Sequence, residues 1–141
     1  MSFVPKPQPF RGSIIAVTLG TGDKAFVFGG QNVLPFYTFD APIENAPKIG
    51  VEISELAAQW EVPGLVDFYA GCTTMAERAK KAETMEGADF ICLNFESADP
   101  NGANRSVADC VADAKAVADA IDLPIVVMGC KNKEKDGEQV A

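Results

Sequence analysis

Residues 89–136, DFICLNFESADPNGANRSVADCVADAKAVADAIDLPIVVMGCKNKEKD, decide the fold. Asp89 to Phe95 is a short apolar run with no charge inside it, followed by a polar loop from Glu96 to Arg105 and a helical stretch from Val107 to Ala120. The pattern then repeats: Ile125 to Met128 is a second apolar run, Gly129 to Asn132 a second polar loop, and a further helix begins before Ala141. Uncharged runs of this length are what parallel strands covered on both faces look like. The segment is a βα unit laid down twice.

Asp89 and Pro124 stand at equivalent points of the two units, and the interval matches a whole βα unit of a (β/α)8 barrel, about thirty residues. A complete barrel takes about 250 residues, so 141 residues are expected to be its N-terminal half, a truncated fragment. Ile49 to Ile53, with Ile49, Val51 and Ile53 alternating against Gly50, Glu52 and Ser54, is the expected first barrel strand. Glu55 to Ala58 adds a helical turn, and Trp60 to Cys72, with Pro63, Gly64 and Gly71, reads as an irregular crossover. Thr74 and Glu77 form a capping box that opens a helix burying Met75, Ala79, Ala82 and Met85, with Gly87 as its left-handed stop. Arg78, Lys80, Lys81 and Glu83 are assigned to its solvated face. In the next helix Ser106 is the N-cap, and Val107, Cys110, Val111, Ala114, Val117, Ala118 and Ile121 form the buried stripe.

The barrel is assigned to residues 49–141, and residues 1–48 to a closing segment. There, Ser13 to Leu19 and Ala25 to Phe28 form an antiparallel hairpin around the glycine-bearing turn Gly20 to Lys24. Gly29-Gly30 precedes the aromatic, proline-bounded run Val33 to Phe39, which is expected to be buried under the barrel. Neither G-x-G-x-x-G nor a P-loop follows, so nucleotide binding is rejected at the double glycine.

A formal net charge of -8 opposes nucleic-acid binding, which depends on clustered Lys and Arg. No stretch resembles a membrane span, and the proline-interrupted N-terminus lacks the apolar region of a signal peptide, so the expectation is cytoplasmic. Cys72, Cys92, Cys110 and Cys130 show no C-x-x-C pair and are read as buried thiols. The chain has no histidine, which excludes histidine-based triads and histidine-ligated metal within it.

In parallel α/β folds, ligands meet the loops after the carboxyl ends of the strands. That rule selects Glu52 and Ser54 after the first strand; Asn94, Glu96, Asp99, Asn101 and Asn104 around the second; and Gly129 to Asp136, including Asn132, after the third. With Ile91, Leu93 and Phe95 on one face, Cys92, Asn94 and Glu96 take the other and point into the barrel mouth. The Gly129 to Asn132 turn has backbone amides that fit an anion. Lys131, flanked by Lys133, Glu134, Lys135 and Asp136, reads as a solvated helix start and not as a Schiff-base lysine.

Three stretches, GGQNVLPFYTFDAPIENAPKIGVEI, ADFICLNFESADPNGANRSVADCV and LPIVVMGCKNKEKD, closely resemble the small (delta) subunit of the corrinoid iron-sulfur protein and its archaeal counterpart, the delta subunit of acetyl-CoA decarbonylase/synthase. The likeness runs from about Ala25 to Glu138, and its early start favours the bacterial form. The family's last motif opens G-C-G-N or G-S-G-N. Lys131 replaces the second glycine here, which weighs against a tight left-handed turn.

The resemblance implies a TIM barrel related to pterin-dependent methyltransferases. It implies a large partner subunit that carries a 4Fe-4S cluster and the cobalamin, with this subunit helping to enclose the corrinoid through Asn94, Glu96, Asp99, Asn101, Asn104, Gly129 and Asn132. The complex would carry a methyl group from methyltetrahydrofolate, loaded by a separate methyltransferase, to acetyl-CoA synthase in the reductive acetyl-CoA pathway. Such a non-catalytic subunit needs no catalytic residues and no metal ligands of its own. Two alternatives stay open: a pterin-binding methyltransferase using Asn94, Asp99 and Asn132, and an unrelated TIM-barrel enzyme.

Overall fold

The computed structural model describes residues 2, 4, 12, 14–31, 43–56 and 62–140. Contacts divide the chain into residues 1–48 and 49–141.

In the first unit, β1 (Val17–Leu19) pairs antiparallel with β2 (Phe26–Phe28), Val17 facing Phe28 and Leu19 facing Phe26. The expected hairpin is present. Gly20 and Gly22 take φ of +82° and +61°, which only glycine adopts freely, and a 3-10 turn over Gly22–Lys24 closes the loop. Phe26 and Phe28, two residues apart on one face, meet edge to face at 4.9 Å. Beyond the ladder, Ile14 donates to the Gln31 carbonyl and Asn45 Nδ2 to the Gly29 carbonyl, so the double glycine belongs to the hairpin's own bonding. Ser13 and the aromatic run Val33 to Phe39 lie outside the described residues.

In the second unit, β3 (Gly50–Ser54), β4 (Phe90–Asn94) and β5 (Ile125–Met128) form a parallel sheet in the order β3-β4-β5. Ile53 lies beside Leu93, and Leu93 beside Val127. Ile91, Leu93, Phe95 and Ile53 are at most 2% exposed, so one sheet face carries the core as the alternation predicts. Burying each such side chain contributes about 1.5–3 kcal/mol. The first strand is displaced by one residue from the expected Ile49 to Ile53: Ile49 is 61% exposed, and Ser54 joins β3 fully buried, its hydroxyl accepting from the Leu56 amide.

Helices α2 (Met75–Ala82) and α3 (Val107–Ala120) cover that face. α2 opens on the expected capping box, with Thr74 Oγ1 accepting from the Glu77 amide at 3.1 Å and Glu77 Oε2 accepting from the Thr74 amide at 2.9 Å. Gly87 beyond it has φ of +84°. Met75, Ala79 and Ala82 are buried and Met85 half-buried.

The assignment of all the α2 charges to a solvated face is corrected. Arg78 is buried and donates to the Ser54 carbonyl at 3.3 Å, because its position one residue before Ala79 turns it toward the end of β3. Half-buried Glu83 accepts from the Asp122 and Leu123 amides, pinning the turn that leads into β5. In α3, Cys110 and Val117 are buried with Ile121 just beyond, but Ala118 is exposed, one residue past the stripe. Residues 62–72 are also corrected: α1 (Pro63–Phe68) is a helix, since a proline at its first position already has helical φ and lacks only an amide no helical partner needed. Trp60 and Ala57 to Ala58 lie outside the described residues.

The fold is therefore mixed α/β, with a parallel sheet and an antiparallel hairpin. Barrel closure is not present among the described residues.

Candidate functional site

β4 and β5 lie side by side, so their loops emerge together at the carboxyl end of the sheet. Between these loops is a cleft of about 310 Å³ lined by Asn94, Glu96, Asp99, Asn101 and the turn Gly129 to Asn132. Each wall has an identifiable origin.

Asn94 ends β4 on the face opposite the core, and its Nδ2 donates to Glu52 Oε1 on β3 at 2.9 Å. Cys92, on the same face, has its thiol pushed up by burial and by Glu52 alongside, so it stays protonated. Glu96 begins a 3-10 turn over Glu96–Ala98 and is exposed. Asp99 organises the loop: Oδ1 accepts from the Asn101 amide at 2.9 Å and from Asn101 Nδ2 at 3.1 Å, while its carbonyl accepts from the Gly102 and Asn104 amides.

On the other wall, Asn132 caps α4 (Lys133–Val140), its Oδ1 accepting from the Lys135 amide at 3.1 Å. Asp136, one turn into α4, reaches back so that Oδ1 accepts from the Cys130 amide at 2.8 Å and from Cys130 Sγ at 3.2 Å. A Cβ on Gly129 would lie 2.2 Å from that oxygen, so the glycine makes room for the carboxylate. Burial, with Asp136 beside it, pushes the Cys130 thiol up.

The structure corrects the expectation for Lys131. It adopts φ of +68° without being glycine, a conformation that costs an ordinary residue roughly 1–2 kcal/mol. Asp136 holds the residue before it and the Asn132 cap the residue after it, so the left-handed turn is over-determined.

Of the strand-end residues selected from the sequence, Asn94, Glu96, Asp99, Asn101, Gly129 and Asn132 line the cleft, whereas Glu52, Ser54, Asn104 and residues 133–136 lie outside its lining. Asn104 is also left-handed, φ +48°, and its Oδ1 accepts from Lys135 Nζ at 3.1 Å, which ties the two loops together from outside. Cys130 and Lys131 join the lining. Lys131 is exposed, as a solvated helix start should be, and it also lines the cleft. Asp136 was missed as an organiser; the signal was an acidic residue at the fourth helical position behind an asparagine cap. Among the described residues, no group of three or more His, Cys, Asp or Glu side chains is placed to hold a metal ion, and no helix is long and apolar enough to cross a membrane.

The sheet and cleft define an α/β protein of the parallel type, with its polar loops gathered at the strand carboxyl ends. Residues 16–138 match the model of the CO dehydrogenase/acetyl-CoA synthase delta subunit family, and the chain belongs to that family. It is 31% identical over 143 residues to the acetyl-CoA decarbonylase/synthase complex subunit delta of Archaeoglobus fulgidus, covering 96% of this chain and 32% of the relative. The corresponding subunit of Methanothermobacter thermautotrophicus is 27% identical over 140 residues, covering 95% and 34%. Subunit delta 2 of Methanosarcina acetivorans is 28% identical over 122 residues, covering 86% and 28%. The chain thus spans about a third of the length of these relatives.

Proposed function

We propose that this protein is the subunit that helps enclose a corrinoid held by a larger partner subunit, within a complex that moves a methyl group from methyltetrahydrofolate to acetyl-CoA synthase. The observation that carries the reading is the cleft at the carboxyl ends of β4 and β5, in a chain of the delta-subunit family. On this reading, residues 49–141 are the opening units of a (β/α)8 barrel and residues 1–48 its closing segment.

The donor set fits a corrinoid rim. Cobalamin's periphery is a ring of carboxamides, and Asn94, Asn101 and Asn132 each offer a matching donor and acceptor, with Glu96 and Asp99 as further acceptors. Gly129 admits the Asp136 carboxylate that shapes the turn, and Asn104 braces the loop. The cleft is far smaller than the macrocycle, so it receives one edge while the partner holds the rest. The cobalt supplies the methyl-carrying chemistry when bound; the residues here orient the rim and exclude water. The 4Fe-4S cluster belongs to the partner, and the protein works in the cytoplasm with its partner subunit, the methyltransferase and CO dehydrogenase/acetyl-CoA synthase.

Anaerobic purification of the native gene product tests this. A two-subunit complex with corrinoid and iron-sulfur absorption is the expected result, and a colourless homo-oligomer would overturn it. A second reading, a pterin-binding methyltransferase, is favoured by one observation: Asn94, Asp99 and Asn132 line one cleft. Micromolar binding of methyltetrahydrofolate to the isolated full-length subunit would establish it instead.

A further inference from the structure

A second cavity, about 430 Å³, shares no residue with the strand-end cleft. It lies where the end of β3, the loop after β4, the start of α2 and the first half of α3 meet. Arg78 and Ser97 in its wall are 8% and 6% exposed, so polar groups have been built into the interior here. Buried charges are ordinarily paired, and buried polar atoms hydrogen-bonded.

Neither condition holds in this cavity. Among the described residues no carboxylate lies within ion-pair distance of Arg78, whose bond is a long one to the Ser54 carbonyl. Arg105, by contrast, is paired with Asp113 at 2.7 Å and has the Glu55 carboxylate nearby. Glu55 uses one oxygen to accept from the Ser97 amide at 2.7 Å, while its other oxygen, Oε2, and the Ser97 hydroxyl are buried with no hydrogen-bond partner among the described residues. The wall therefore needs an acceptor for Arg78 and a donor for Glu55.

We propose that this cavity is a ligand site for an oxyanion that also carries a hydrogen-bond donor. The oxyanion pairs with Arg78, assisted by the Ser97 hydroxyl, and the donor satisfies Glu55 Oε2. Two sources have this chemistry: phosphate, which keeps a P–OH at neutral pH, and a small carboxylate bearing a hydroxyl.

Titration of the intact protein by calorimetry with phosphate, sulfate, glycolate and acetate tests this, because each pair differs in the donor. Phosphate or glycolate is expected to bind about tenfold or more tighter than sulfate or acetate respectively, since a site built for a donor rejects the analogue lacking it. The pair that discriminates identifies the source. Ser97→Ala is expected to weaken that binding severalfold with an unchanged far-ultraviolet spectrum, and Arg78→Gln to abolish it. Should Arg78→Gln fail to fold, Ser97→Ala alone decides. No binding of any of the four at about 10 mM, equal binding within both pairs, or binding untouched by Ser97→Ala overturns the proposal.

Discussion

Asn94 and Glu52 are joined across β4 and β3 by a 2.9 Å hydrogen bond, amide to carboxylate, at the carboxyl end of the sheet. The neutral amide lets a carboxylate stand there without a second charge beside it. Asn94→Asp would put two carboxylates in contact, and the pair would retain a proton above the ordinary carboxylate pKa of about 4. A folded-state pKa raised in this way lowers stability as pH rises above the unfolded value. Urea melts of Asn94→Asp are expected to show a loss of roughly 1–2 kcal/mol at pH 7 that shrinks toward pH 4.

The α2 capping box has the opposite sign. Hydrogen bonds from the Thr74 and Thr73 amides hold the Glu77 carboxyl down at about 2, against an ordinary 4.5. A depressed carboxyl contributes stability that is full above the unfolded pKa and is lost as pH falls through the folded one. Acid titration of the melting temperature is expected to show this loss between about pH 4.5 and 2 in the native sequence, and a flatter curve in Glu77→Gln.

Gly50 and Gly64 separate sterics from backbone freedom. A Cβ on Gly50 would lie 2.3 Å from the Phe90 ring, whereas among the described residues nothing lies within 4 Å of one on Gly64 in α1. Gly50→Ala should cost about 1–3 kcal/mol in denaturant melts, with part of the loss recovered by also making Phe90→Leu. Gly64→Ala should be neutral or stabilise by up to about 1 kcal/mol.

Thiol accessibility divides the cysteines. Cys110 and Cys130 are buried, and Cys72 and Cys92 are half-buried. Timed alkylation of the folded protein followed by mass spectrometry should label Cys72 first and Cys110 and Cys130 last, all converging in denaturant.

The sequence made the β4–α3–β5 unit legible because its strands are uncharged, its helix is capped at Ser106 and its loops are polar; no competing pattern fits those residues. The strand-end rule likewise selects Asn94, Glu96, Asp99, Asn101 and Asn132, which the loops after β4 and β5 bring to one cleft, together with Glu52, Ser54 and Asn104, which they do not. α1 was hidden because its helical signal is one proline at the start, a residue more often read as a break. Arg78 was assigned to water because charge alone does not reveal a side chain that reaches a strand-end carbonyl. The Asp136 contact was out of view for another reason: it couples a helix to the turn before it, which periodicity does not register.

The dependence of the Cys130 turn on Asp136 also bears on the order in which the wall is made. β5 and the Gly129 to Lys131 corner leave the ribosome before the residue that fixes their shape, and chains emerge at about 5–20 residues per second. Until Lys135 and Asp136 follow, nothing rewards Lys131 for its left-handed backbone. The nascent corner is therefore free to sample ordinary conformations, and this side of the cleft takes form last, as the first turn of α4 winds up behind it.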